Sequence, residues 1–147
     1  MGRTGLEKLY LRYCYELGYL PKYRQNPTRL HIVLKEDLLK CDQYSEQAKL
    51  LSKYHVNTDE DLSLLMERID VKMQELSSQR DERRLIAKRV LPAAETDKAR
   101  EEAKELTREI RELRHEAKVC REVQDRSGHV RENLEIVDRD RQKEKER

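Results

Sequence analysis

The chain has no tryptophan and no phenylalanine, so tyrosine is its only aromatic residue. A compact core of ordinary thickness needs large apolar side chains. With 36% hydrophobic and 42% charged residues, the chain is short of them. Such a composition suits long charged helices that meet along a narrow apolar seam. Glycine occurs only four times and forms no phosphate-cradling loop. Cys14, Cys41 and Cys120 are an odd, widely spaced set without a C-x-x-C pair. They read as reduced, partly buried thiols of a reducing compartment. No secretory signal and no membrane-spanning apolar run is visible, so a cytoplasmic protein without a membrane partner is expected. His31, His55, His115 and His129 lie far apart, at no ligand spacing, and no metal or cofactor is expected.

What is present is charge in helical order. Across residues 57–126 the pattern reads as two long helices separated by Val90-Leu91-Pro92-Ala93-Ala94-Glu95. In the second, Ala99, Ala103, Leu106, Ile110, Leu113, Ala117 and Cys120 alternate steps of four and three, a heptad seam. The first carries Leu62, Leu65, Ile69, Met73 and Leu76 before loosening into Arg80, Arg83 and Arg84. Pro92 cannot continue a helix. Two comparable helices with a short break fold back antiparallel. A turn centred near Ala93 sets Leu76 opposite Ile110, Met73 opposite Leu113, Ile69 opposite Ala117 and Met66 opposite Cys120. Thr58 and Asp61 form a weak capping box at the start of the hairpin, and Thr96 is the expected N-cap of its second helix.

Before the hairpin, residues 1–56 form a basic helical segment. Leu6, Leu9, Tyr10, Tyr13, Cys14 and Leu17 stand at helical spacing, with Gly18 and Pro21 as stop signals. Leu30–Leu34 reads as extended chain. A second amphipathic helix from about Lys35 to Tyr54 carries Leu38, Cys41, Tyr44, Ala48 and Leu51 on one face. Beyond the hairpin, Ser127-Gly128 interrupts the pattern, and residues 127–147 read as a short C-terminal helix with a charged tail. The expected fold is all-α: an elongated antiparallel helical hairpin, a coiled coil, with two N-terminal packing helices and a short C-terminal helix.

Net charge is only +2, but it is unevenly spread. Residues 1–35 hold seven Lys/Arg against two acids, and residues 36–70 hold four against nine. Aromatics among phosphate-neutralising cations are what a single-strand surface needs. Arg12, Tyr19, Lys22, Tyr23, Arg24 and Arg29 are therefore the candidate nucleic-acid contacts. The plainer reading is that Tyr10 and Tyr13 pack the helix while the cations are solvated. Arg80, Arg83, Arg84, Lys88 and Arg89 make a second basic patch at the hairpin tip.

Leu11-Arg12-Tyr13-Cys14-Tyr15-Glu16-Leu17-Gly18-Tyr19-Leu20-Pro21-Lys22 resembles a segment found late in relaxases, the mobilisation nucleases of bacterial conjugative elements. Arg29–Leu38, Ala48–Leu51, Thr58–Leu62, Val119–Arg121 and Arg126-Ser127 are similar to the stretches C-terminal to that segment in the same family. In such relaxases an N-terminal nuclease domain supplies a tyrosine nucleophile and a metal held by clustered histidines. This chain lacks that cluster, so Tyr13 and Tyr15 are not expected to be nucleophiles. The resemblance implies a non-catalytic C-terminal helical region that supports DNA binding or relaxosome assembly in conjugative transfer. Its implied partners are single-stranded DNA or relaxosome proteins. The alternative is a structural coiled-coil adaptor that binds other proteins.

Overall fold

A computed structural model describes residues 4–18, 31–89 and 92–145. They form four α-helices: α1 (Leu6–Glu16), α2 (Cys41–Lys53), α3 (Asp59–Lys88) and α4 (Ala93–Lys145). A 3-10 segment, Ile32–Lys40, precedes α2, and no strand occurs among the described residues. The fold is all-α. No described helix is long and apolar enough to cross a membrane. Two compact units divide the chain, one of Met1–Leu62 with Val119–Arg147 and the other of Ser63–Lys118.

In the first unit, α1 buries Leu6, Leu9, Tyr10, Tyr13 and Cys14 on one stripe. Its end is set by Gly18, which takes the left-handed conformation at φ 93° and donates its N–H to the Tyr15 carbonyl. A side chain would be strained there. At the other end, Gly5 lies so close to Asn57 that an added Cβ would meet Asn57 Oδ1 at 3.0 Å, and the Leu6 N–H donates to the Asn57 carbonyl. α2 adds Tyr44, Ala48, Leu50 and Leu51 to this core, and α4 adds Val119, Cys120, Val123, Val130, Leu134 and Val137. α2 ends in a Schellman motif, with the Val56 N–H on the Leu51 carbonyl and the His55 N–H on the Ser52 carbonyl.

The expected capping box at Thr58 is present. The Asp61 N–H donates to Thr58 Oγ1, and the Asp61 carboxylate accepts from the Thr58 N–H. Four local expectations are corrected. The Lys35–Tyr54 helix begins as a 3-10 segment, in which Leu34 and Asp37, three residues apart, point inward while Leu38 and Leu39 are exposed. Three residues per turn sets Asp37 in line with Leu34 and swings Leu38 a third of a turn away, where the α period would have kept Leu38 on the same face. Of the expected extended run, Ile32–Leu34 belongs to this segment, capped by His31 Nδ1 accepting from the Val33 N–H. α4 starts at Ala93 rather than after Thr96. The Pro92 carbonyl accepts from Glu95 and Thr96, and Thr96 Oγ1 donates back to the Ala93 carbonyl.

The fourth correction concerns the short C-terminal helix, because α4 runs unbroken through Ser127-Gly128. Glycine costs about 0.8–1.0 kcal/mol in a helix interior. Burial of Val123, Val130, Leu134 and Val137 on one face outweighs it, at about 1.5–3 kcal/mol for each full side chain. Gly128 is exposed, and a Cβ built on it meets nothing within 4 Å. Gly128→Ala should therefore stabilise the chain by about 0.5–1 kcal/mol in chemical denaturation. Destabilisation would mean that Gly128 ends a helix.

The second unit contains α3 from Ser63 and the first part of α4. Leu65, Ile69 and Leu76 are buried on α3, and Ala99, Ala103 and Ile110 on α4, while Met73, Leu106, Leu113 and Ala117 are half-buried. Arg83 Nε lies 2.6 Å from the Glu102 carboxylate.

Candidate functional site

Of the candidate nucleic-acid contacts, Tyr19, Lys22, Tyr23, Arg24 and Arg29 lie outside the described residues. Arg12 is described, and its guanidinium is engaged. It donates to both carboxylate oxygens of Asp138, one at 2.9 Å, and lies 3.9 Å from Glu16. The hydrogen bond from Arg12 holds the Asp138 carboxyl below its usual range. Arg141 forks onto Glu16 with two bonds of 2.7 Å. Glu16 is buried, so this bidentate pair is what keeps its charge tolerable there.

Tyr10 and Tyr13 are both fully buried, as the plainer reading of them expects. The Tyr10 hydroxyl donates to the Val123 carbonyl at 3.4 Å. Tyr13 stands edge-on to Tyr44, ring centroids 5.0 Å apart, and its hydroxyl organises a cluster. It donates to Asp37 and accepts from Asn133 Nδ2 at 2.8 Å. His129 Nε2 lies 2.7 Å from the same Asp37 oxygen. That nitrogen must carry its proton to serve the carboxylate, so Asn133 Nδ2, 3.3 Å away, cannot also donate to it. The Tyr44 hydroxyl is buried without a hydrogen-bond partner among the described residues.

Sequence reasoning passed over Asp37, His129 and Asn133. The available signal was Asn133, a polar residue on the apolar stripe beside Val130 and Leu134, with His129 one helical turn before it. His31 sits at the start of the 3-10 segment, and its Nε2 lies 2.8 Å from Asp140. Among the described residues no group of three or more His, Cys, Asp or Glu side chains is placed to hold a metal ion.

The electrostatics of the cluster favour holding protons in place. Burial, then the hydrogen bond given to Asp37, raises the Tyr13 phenol above its ordinary value, and burial raises Tyr10 and Tyr44 likewise. Burial also pushes the Cys14 thiol up to about 12. For Asp37, burial acts upward, but the hydrogen bonds from Tyr13 and His129 outweigh it, and the carboxyl lies below its usual value. A nucleophile needs the opposite, a lowered pKa and an approach from solvent.

These shifts set a pH profile. A group whose pKa is raised by folding contributes its full stability below its unfolded value and loses it as pH climbs. The first unit should therefore weaken above about pH 8.5–10, where an unfolded thiol and phenols ionise. Asp37, lowered by folding, contributes above an unfolded value near about 3.9 and loses its share as pH falls below it. Denaturant midpoints across pH measure both limbs, and tyrosines that all ionise near about pH 10 in the folded chain would contradict the alkaline one.

Comparison with models of known families, with curated proteins and with solved structures finds no match for this chain.

Proposed function

We propose that the chain is the non-catalytic C-terminal helical region of a relaxase-like mobilisation protein, supporting DNA binding or relaxosome assembly in conjugative transfer. The observation that carries this reading is the resemblance of Leu11–Lys22 and the later segments through Arg126-Ser127 to the late part of relaxases. The all-α fold suits such a region. Burial of Tyr13, with its proton held by Asp37, supports a structural rather than a catalytic tyrosine. The N-terminal excess of five positive charges supports contact with a strand through Tyr19, Lys22, Tyr23, Arg24 and Arg29. Arg12 drops to a secondary place because Asp138 and Glu16 already answer its charge.

In this reading α3 and the first part of α4 form an antiparallel coiled-coil hairpin. The Arg83–Glu102 pair supports it, lying one residue from the register centred near Ala93. A Met73→Cys/Leu113→Cys chain without its native thiols should crosslink under mild oxidation. Failure to crosslink would place those Cα atoms beyond about 7 Å and discard the register.

A nicking assay tests the functional reading. The chain should leave supercoiled and single-stranded DNA uncut with any divalent metal while retaining the single strand. Nicking that disappears in Tyr13→Phe or Tyr15→Phe would make the chain an enzyme. The second reading, a coiled-coil adaptor for protein partners, draws support from Leu39 and Ile32, 98% and 74% exposed on the 3-10 segment. Retention of protein partners with no DNA binding would favour it.

A further inference from the structure

The second unit carries a groove of about 690 Å³ between α3 and α4, far in sequence from the N-terminal basic segment. Six cations line it: Arg84 and Lys88 from α3, and Arg100, Lys104, Arg108 and Arg111 from α4. Its other lining residues are Ala87, Ala103 and Thr107, small enough to leave the floor open. No carboxylate lines the groove, although acids are frequent on both helices. The cations have been sorted to this face.

Acidic neighbours hold some of these cations from outside the groove. Arg100 lies 3.8 Å from Asp97, Lys104 3.4 Å from Glu101, and Arg108 pairs with Glu105 and Glu112. All are exposed pairs between neighbouring turns, which salt screens and a stronger anion displaces. No ion pair among the described residues engages Arg84, Lys88 or Arg111. The groove therefore presents three unanswered cations and three weakly answered ones.

We propose that this groove holds the phosphate backbone of a single nucleic-acid strand. Arg100, Lys104 and Arg108 are spaced one turn apart, about 6 Å at each step, and Arg84 and Lys88 repeat that spacing on the facing helix. Cations in series suit a polyanion, whereas a lone phosphate needs them to converge on one point. Packed helices stand about 8–10 Å apart, and a groove between them admits a single strand but not the body of a duplex. No aromatic side chain lines the groove, so there is no platform for stacked bases. Recognition is of charge, without regard to sequence. The inference goes beyond the N-terminal contacts proposed above and stands without the family resemblance.

The test is a salt titration of labelled single strands and the matching duplex against the full chain. Wild type should bind purine and pyrimidine strands alike and the duplex more weakly. Arg84→Glu/Lys88→Glu/Arg111→Glu should weaken single-strand binding at least tenfold at low salt. It should also flatten the log–log salt slope by about 2, roughly 0.7 for each phosphate no longer neutralised. The control Lys98→Glu/Arg114→Glu/Lys118→Glu makes the same change in net charge on exposed positions outside the groove and should retain most of the binding. Retained helicity, measured by circular dichroism, and a Gln version of the groove variant guard against misfolding. Equal losses in groove and control variants, preference for the duplex, or no binding by wild type would each overturn the proposal. Loss in the groove variant while Arg24→Glu/Arg29→Glu still binds would uphold the groove and remove the N-terminal contacts. The reverse pattern would remove the groove and leave the N-terminal reading standing.

Discussion

Ile110→Asp should collapse the second unit. Ile110 is 2% exposed, on the stripe of α4 that also buries Ala99 and Ala103. The substitution removes a large apolar side chain and puts a carboxylate in its place. Losing the buried isoleucine costs about 2–5 kcal/mol, and burying an uncompensated charge costs several kcal/mol more unless the group takes up a proton. Domains of this size are commonly stable by only about 5–15 kcal/mol, so a loss on that scale removes most of the margin. Helicity should fall and the melting temperature should drop sharply, while Arg114→Asp, exposed on the same helix, should change little. Limited proteolysis should then cut within residues 63–118 first. An unchanged melt would mean that Ile110 faces solvent and the heptad seam is misassigned.

Tyr13→Ala is the counterpart in the first unit. Tyr13 is fully buried, packs against Tyr44, and joins Asp37 to Asn133. Removing an aromatic ring from a core costs about 3–5 kcal/mol, before any polar group is considered. The alanine variant also strips a donor from Asp37, a carboxylate only 2% exposed, and an acceptor from Asn133. Tyr13→Phe isolates that second effect. It keeps the ring and should cost about 1–3 kcal/mol, the penalty of leaving buried partners unsatisfied. It should also lift the Asp37 carboxyl, since the hydrogen bond from Tyr13 is the largest influence holding it down. The acid limb of the stability profile should then shrink, because the folded and unfolded values of Asp37 draw together. If Tyr13→Phe melts like wild type at every pH, the hydroxyl is not part of a working network.

The features legible in the sequence are those set by near neighbours. The Thr58–Asp61 box needs only residues three apart, and Gly18 with its positive φ needs only the end of one helix. The stripe of Leu6, Leu9, Tyr10, Tyr13 and Cys14 follows from the helical period alone. The continuity of α4 was not legible in the same way. Ser127-Gly128 is a genuine local stop signal, and it is overridden by Val130, Leu134 and Val137, whose burial depends on α1 and α2 being in place. The polar cluster was harder still. Tyr13 and Asp37 are 24 residues apart, and Asp37 and His129 are 92 apart, so no spacing rule joins them. The 3-10 segment belongs with these, because Asp37 turns inward to meet partners that only the tertiary fold supplies.

A chain that holds single-stranded DNA through charge and leaves it intact should show both properties in one binding titration. A labelled single strand is titrated at several salt concentrations, beside a scrambled-charge control peptide. Saturable binding well above the control is expected, with an affinity that falls steeply with salt, by about 0.7 log units for each phosphate neutralised, and a strand recovered uncut. Binding no better than the control peptide would contradict the proposed DNA-holding role outright.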